Sequence, residues 1–363
     1  MPQGPLAGLK VVELASLGPG PFACMLLADL GADVICVARA GPRDGYDNML
    51  NRGRPAWGAN LKDPADLARV RTLADRADVL VEGYRPGVTE RLGLGPDELL
   101  ARNPRLIYAR MTGWGQTGPM STSVGHDLNF LGLTGALHAM GDADRPPPPP
   151  LNLVADFGGG SMYCVVGILA ALWERNTSGK GQVIDAAMVD GVSSLLAMAY
   201  SLRANGLWSD ERGGNLLDGS HPYYRTYACS DGKFMAVGAM DLPYFLALQA
   251  TLGVSLGRPS DPANWPAMRE TLTAAFAAHP QAHWEAVFAH VEACVTPVRS
   301  LAEAVDDPHL AARGSVVRAE GNLEPNVAPR FSRTPGSRGE PGGPAGDLDP
   351  AVLDSWGIDL GDW

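Results

Sequence analysis

The sequence predicts an α/β protein followed by a smaller α+β unit, on three observations. Short apolar runs alternate with helical stretches through the N-terminal half, and glycines and prolines punctuate each change. Near Tyr223 the pattern turns to a hairpin followed by helices.

Taken in order, residues 10–14 read as the first strand, followed by the turn Gly18-Pro19-Gly20-Pro21 and a helix over about 22–30. Gly31-Ala32-Asp33 turns the chain into a second strand, 34–37, which closes a βαβ unit. Gly18, Gly20 and Ala23 fit the spacing of a dinucleotide-binding fingerprint. Prolines at 19 and 21 remove two N–H donors that would cradle a pyrophosphate, and Arg39 stands where a ribose-binding acid belongs. That arginine suits an adenine face or a ribose phosphate, as in NADP or coenzyme A, and the prolines count against NADP.

Residues 67–76 read as a helix, 79–81 as a buried strand, and Gly83-Tyr84-Arg85-Pro86-Gly87 as the loop at its end. Open parallel sheets bind ligands at such strand ends, so Arg85 and Arg91 are candidates to meet phosphates, against the commoner fate of solvated arginines. Residues 106–111 form another strand, and the turn-rich 112–119 leads towards His126. The stretch 145–150 is a rigid polyproline spacer, 182–186 a strand, and 188–205 a helix with an apolar face. Beyond it, 223–228 and 233–237 form a hairpin about Ser230-Asp231-Gly232, with helices at 242–252, 265–278 and 282–291. The Gly- and Pro-rich 332–349 reads as an extended, partly disordered surface return.

Composition bounds the function. A chain of 363 residues suggests two domains, and a net charge of −11 argues against a nucleic-acid surface. The five cysteines are scattered, and four lie in apolar surroundings, which points to buried thiols in a reducing compartment. No basic and apolar leader, no run of membrane-spanning length and no peroxisomal tripeptide at the C-terminus is evident. A cytoplasmic protein without membrane or nucleic-acid partners is expected.

Two segments carry the chemistry. Gly125-His126-Asp127 and Asp156-Phe157-Gly158-Gly159-Gly160 each set a proton-moving side chain beside glycine, where backbone can approach a ligand. Residues 161–174 read as a helix opened by the second segment, whose first-turn N–H groups would favour negative charge. An imidazole, a carboxylate and a helix start together could remove a proton, return one and hold the anion between. The plainer readings are a capping aspartate and a turn or core histidine.

The assembled residues resemble the α-methylacyl-CoA racemases of the family III CoA-transferase superfamily, almost end to end. The likeness is densest in Gly4-Pro5-Leu6, Val11-Val12-Glu13-Leu14, Asp29-Leu30-Gly31-Ala32-Asp33-Val34 and Val81-Glu82-Gly83-Tyr84-Arg85-Pro86-Gly87. It continues through 110–119, Gly125-His126-Asp127, 156–160 and Cys294-Val295-Thr296-Pro297-Val298. The resemblance implies a Rossmann-like large domain, a smaller domain on two linkers, and two chains interlocked as a homodimer. On that plan the large CoA-binding domain takes residues 1–200 and is completed by about 320–363. Residues 201–222 form a linker, 223–300 the small domain and 301–319 the return. Coenzyme A, as part of an acyl-CoA substrate, would meet Arg39, Ala59, Asn60, Leu61, Lys62, Gly83, Tyr84, Arg85 and Arg91. The segment Gly125, Asp127, Leu128, Asn129, Phe130 would complete that contact. His126 and Asp156 match the acid/base pair, and Asp241 stands where these racemases carry a glutamate paired with the histidine. The segment 52–58 departs from the family's basic, alternating version. The implied reaction inverts the α-carbon of 2-methylacyl-CoA thioesters through an enolate, with no metal or redox cofactor. The alternative within the superfamily is a CoA-transferase with Asp156 as nucleophile, in which His126 has no acid/base part.

Overall fold

Largely apolar runs of the sequence become the strands of a parallel sheet in the computed structural model, which describes residues 4–42, 49–319, 321–359, 361 and 363. The six strands are β1 (Lys10–Leu14), β2 (Asp33–Ala38), β3 (Ala56–Gly58), β4 (Val79–Glu82), β5 (Ile107–Thr112) and β6 (Gln182–Ala187). Their order is β3-β2-β1-β4-β5-β6 with every neighbouring pair parallel, the Rossmann-type arrangement. The direction of winding reverses between β1 and β4, which leaves a crevice outside their C-terminal ends. The inner strands are covered on both faces, which explains their runs without polar alternation, whereas the edge strand β6 is largely exposed over its first four residues. Val11, Val12, Leu14, Ile35, Val79, Leu80 and Ile107 are all fully buried.

Helices α1 (Pro19–Asp29), α2 (Pro64–Arg76), α3 (Val88–Arg91), α4 (Pro96–Arg102), α5 (Asp127–Thr134), α6 (Tyr163–Ser178) and α7 (Met188–Leu195) belong to the same unit. Prolines open α1, α2 and α4, where a missing N–H costs nothing and the fixed φ suits the first turn. The unit comprises Met1–Thr134, Pro150–Leu196 and Gly314–Trp363. Its interior also holds ion pairs. Arg54 joins Glu13, Arg52 joins Asp29, and Arg110 joins Glu82 and Glu90. Arg52 and Arg54, in the atypical 52–58 segment, are thus internal struts, while Trp57 of β3 packs in the core.

The structure departs from the sequence reading in several places. The helix expected over 161–174 starts earlier, because a π-helical stretch, Leu153–Met162, runs directly into α6. The continuous helix of 26 residues is long and apolar enough to cross a membrane by length and composition, where no run of that length was expected. Cys164, Val165, Ile168, Ala171 and Arg175 of α6 are buried, as in a core helix with one face against its sheet. The helix expected over 188–205 breaks at Leu196. The return over 332–349 lacks regular structure but is tied down, with Ser337 N–H donating to Asp29 O and Ala345 bridging Gly41. A helix at Pro350–Ser355, absent from the sequence reading, follows it and sets Leu353 and Trp356 into the core.

A second unit, Gly135–Pro149 and Ala197–Arg313, contains the hairpin β7 (Tyr224–Ala228) and β8 (Phe234–Gly238). A third antiparallel strand, β9 (Val295–Val298), extends it beyond the two strands expected. Helix α8 (Ala197–Ala204) lies in the same unit, and α9 (Leu242–Leu252), α10 (Trp265–Ala277) and α11 (Gln281–Phe288) surround a core that includes Phe245, Leu248, Leu272 and Phe276. Cys24, Cys36, Cys164 and Cys229 are buried free thiols and Cys294 is exposed.

Candidate active site

Two adjoining clefts lie at the strand ends of the first unit. The larger, about 1060 Å³, is lined by Arg39, Ala59, Asn60, Leu61 and Lys62, with Glu13 and Cys36 among the side chains of the strands. The smaller, about 500 Å³, lies where the winding reverses, between the Ser16–Gly20 turn after β1 and the Gly83–Pro86 loop after β4. His126, Asp156, Gly125, Phe130 and Arg85 line it as well, and Ser16, Leu17 and Tyr84 line both clefts.

His126 is presented at the start of α5. Its backbone N–H donates to Asn129 Oδ1 at 3.0 Å, which folds the loop onto the helix. The glycine before it is sterically required. A Cβ on Gly125 would lie 2.8 Å from the Phe130 ring and 2.9 Å from Trp114. Those two rings meet edge to face with centroids 4.7 Å apart and form an aromatic wall of the cleft. Trp114 was missed in the sequence. Its signal was an indole set between two glycines in the loop that leads to His126.

Asp156 sits in the first turn of the π-helical stretch. Its Oδ2 faces Gly18, where an added Cβ would stand 3.3 Å away and where φ is +68°. Burial first, and the negative charge of Asp127 second, push the Asp156 carboxyl up to about 6, and His126 opposes the shift. The electrostatic coupling joins the histidine and the aspartate across one cleft.

Two expectations about this segment are corrected. The helix opens at Leu153 and not at Asp156, and the N–H groups of Ala155 and Asp156 are not free. Asp127 Oδ2 accepts from Ala155 N–H at 2.9 Å and from Asp156 N–H at 2.8 Å. A carboxylate already occupies the anion-favouring position. Gly159 and Gly160 do not line the cleft either. A Cβ on Gly159 would strike Val192 and the Met188 carbonyl of α7, so these glycines let two helices pack backbone to backbone.

Of the remaining expected contacts, Arg91, Asp127, Leu128 and Asn129 line neither cleft. Arg91 holds its guanidinium beside Gly87, at the end of the loop that carries Arg85. Asp127 is buried, whereas Leu128 and Asn129 are exposed. Asp241 belongs to the second unit, exposed and immediately ahead of α9, and makes no capping bond.

Residues 6–348 match the model of CoA-transferase family III. The chain is 44% identical to the alpha-methylacyl-CoA racemase of Mus musculus over 351 residues, 96% of this chain and 90% of that protein. Identity is also 44% to the alpha-methylacyl-CoA racemase of Homo sapiens over 335 residues, 91% of this chain and 87% of that one. A CAIB/BAIF family protein from Brucella suis has the same fold, with a TM-score of 0.81 and 29% identity. That match covers 97% of this chain and 98% of the other.

Proposed function

The chain belongs to CoA-transferase family III, and within that family we propose that it racemises 2-methylacyl-CoA thioesters by 1,1-proton transfer. The supporting observation is His126 and Asp156 facing one cleft at the reversal of the sheet, with the Asp156 carboxyl raised to about 6. Inversion needs one carrier protonated while the other is not, and a carboxyl that titrates near neutrality meets that need. One carrier removes the α-proton, leaving an enolate. The other delivers a proton to the opposite face, and the roles exchange for the other enantiomer. Ala155 and Asp156 N–H groups are already engaged, so the enolate oxygen must be met elsewhere. The start of α5, directly after His126, is the helix terminus we assign to it. Coenzyme A enters as part of the substrate along the larger cleft, past Arg39 and Lys62. The reaction so written uses no metal or redox cofactor.

We also assign a homodimer. Val166, Leu169 and Trp173 leave an exposed apolar stripe on α6, with Val183 exposed on the edge strand β6. In it, Asp241 of one chain would serve His126 of the other.

Deuterium incorporation tests the reading. In deuterium oxide either enantiomer of a 2-methylacyl-CoA should gain α-deuterium and drift to a near-equal mixture. His126→Ala and Asp156→Ala should each lose about 100-fold or more. In the same assay, mixed His126→Ala and Asp241→Ala chains should regain activity if the pairing is between chains. No α-deuterium, with CoA passing to a free carboxylic acid and an acylated Asp156 trapped, would make the protein a transferase.

A further inference from the structure

Asp127 is a residue beside the site with no part in the reaction as written, and it is buried. Its side chain is 8% exposed, lines neither cleft, and follows His126 directly in the chain. One carboxylate oxygen, Oδ2, accepts the N–H groups of Ala155 and Asp156. The other, Oδ1, is buried with no hydrogen-bond partner among the described residues. A buried carboxylate with one oxygen unsatisfied costs stability, so capping alone does not account for it. An asparagine would cap the same two donors without burying a charge.

We propose that Asp127 is a positioning residue that binds the two proton carriers into one frame and supplies the fixed negative charge beside Asp156. The geometry carries the first half. His126 is its covalent neighbour at the mouth of α5, and Asp156 hangs from it through its own N–H. A shift of either helix start therefore moves both carriers together. The charge carries the second half. The π-helical stretch packs against α1, α5, α6, α7, β5 and β6. Asp190 on α7, Asp185 on β6, Arg110 on β5, Glu174 and Arg175 on α6 and Asp29 on α1 are charged groups of those elements. None of them acts on the Asp156 carboxyl; His126 and Asp127 do, in opposite senses. Like charge at close range disfavours ionisation of the neighbour, so Asp127 helps keep Asp156 able to hold a proton near neutral pH. This role replaces the direct coenzyme A contact expected of Asp127 from the sequence.

The inference rests on the racemase reading, and two measurements separate their failures. The first is a carbon-13 NMR titration of aspartate carboxyls in the intact enzyme, with Asp156→Asn identifying the resonance. Asp127→Asn keeps an acceptor for both N–H groups and removes the charge, so the Asp156 midpoint should fall below its value in the parent. That outcome is independent of turnover. The second is the pH dependence of α-proton exchange. In Asp127→Asn the limb due to Asp156 should move to lower pH, with KM for acyl-CoA unchanged. Asp127→Ala, which frees both N–H groups, should lose up to about 100-fold in kcat, and Asp127→Asn should recover part of that. An Asp156 midpoint and pH profile identical to the parent in Asp127→Asn would overturn the charge role. A rise in KM at constant kcat in both variants would overturn positioning and restore substrate binding. If no α-proton exchange occurs even in the parent, the racemase reading fails while the titration still decides whether Asp127 sets Asp156.

Discussion

Asp156 meets opposing demands from stability and chemistry. A carboxyl titrating near 6 is held above its ordinary 3.8 because folding takes it from water and sets Asp127 beside it. The folded state therefore binds the proton more tightly than the unfolded chain, and the ionised form opposes folding. Below about pH 4 the group is protonated in both states and contributes nothing to the balance. As pH rises from about 4 to 6 the unfolded chain ionises first and stability is lost; above about 6 the loss is complete. Asp156→Asn removes that loss. Discounted for the side chain's partial exposure, the variant should be more stable than the parent by on the order of 1 kcal/mol at pH 7.5. The difference should vanish towards pH 3.5. Urea unfolding across that range reads it, and a difference that grew towards acid would contradict the assignment. Activity should move the other way, with racemisation lost, the usual trade at a site held for function.

The helix pair behind Asp156 is the most demanding contact of the first unit. Gly191 of α7 faces Gly159 so closely that a Cβ on it would fall inside contact with the Gly159 backbone. Gly191→Ala must push the π-helical stretch away and carry Asp156 with it. We expect a loss of roughly 1–3 kcal/mol in stability together with a fall in kcat. Gly132→Ala on α5 is the control, since nothing lies within 4 Å of its Cβ and its φ is ordinary. It should be neutral or slightly stabilising in chemical denaturation. If both substitutions behaved alike, close packing would not be what these glycines supply. The same contact explains what the sequence concealed. Strands β1, β2, β4 and β5 were legible because double burial writes itself as an apolar run, and the helices of the second unit because their periodicity is regular. The start at Leu153 was not, because a π-helical turn has no sequence signature of its own and three glycines look like a loop. Strand β9 was hidden by Pro297, which suits an edge position, and the helix at Pro350–Ser355 by the Gly- and Pro-rich stretch before it. His126 and Asp156 were legible as chemistry. The caging of the Asp156 amide by Asp127 was not, because that pairing spans 29 residues and is set by the tertiary fold.

At the scale of the whole molecule, an acidic protein has to hold a polyanionic substrate. Lys and Arg number 29 against 40 Asp and Glu, so the mean field repels coenzyme A and attraction must be local. The arginines divide into two populations. Arg52 and Arg54 are buried against Asp29 and Glu13, and Arg110 against Glu82, where each holds structure. Arg39 and Arg85 are exposed on the clefts, and among the described residues no salt bridge engages them. The two populations should fail differently. Arg39→Ala and Arg85→Ala should each weaken acyl-CoA binding by on the order of 10-fold at low salt, with thermal stability unchanged. The penalty should shrink as ionic strength rises, because exposed charges are screened over about 10 Å at 0.1 M. Arg54→Ala should instead strand Glu13 without a partner in the core and cost roughly 3–5 kcal/mol of stability. Its effect on binding should follow the fraction folded. Calorimetric titration with an acyl-CoA at two salt concentrations, beside urea unfolding of the same variants, separates them. Salt-independent losses at Arg39 and Arg85 would mean that the clefts hold the substrate by shape and not by charge. A stable Arg54→Ala protein that fails to bind would move that arginine from the core strut to the substrate.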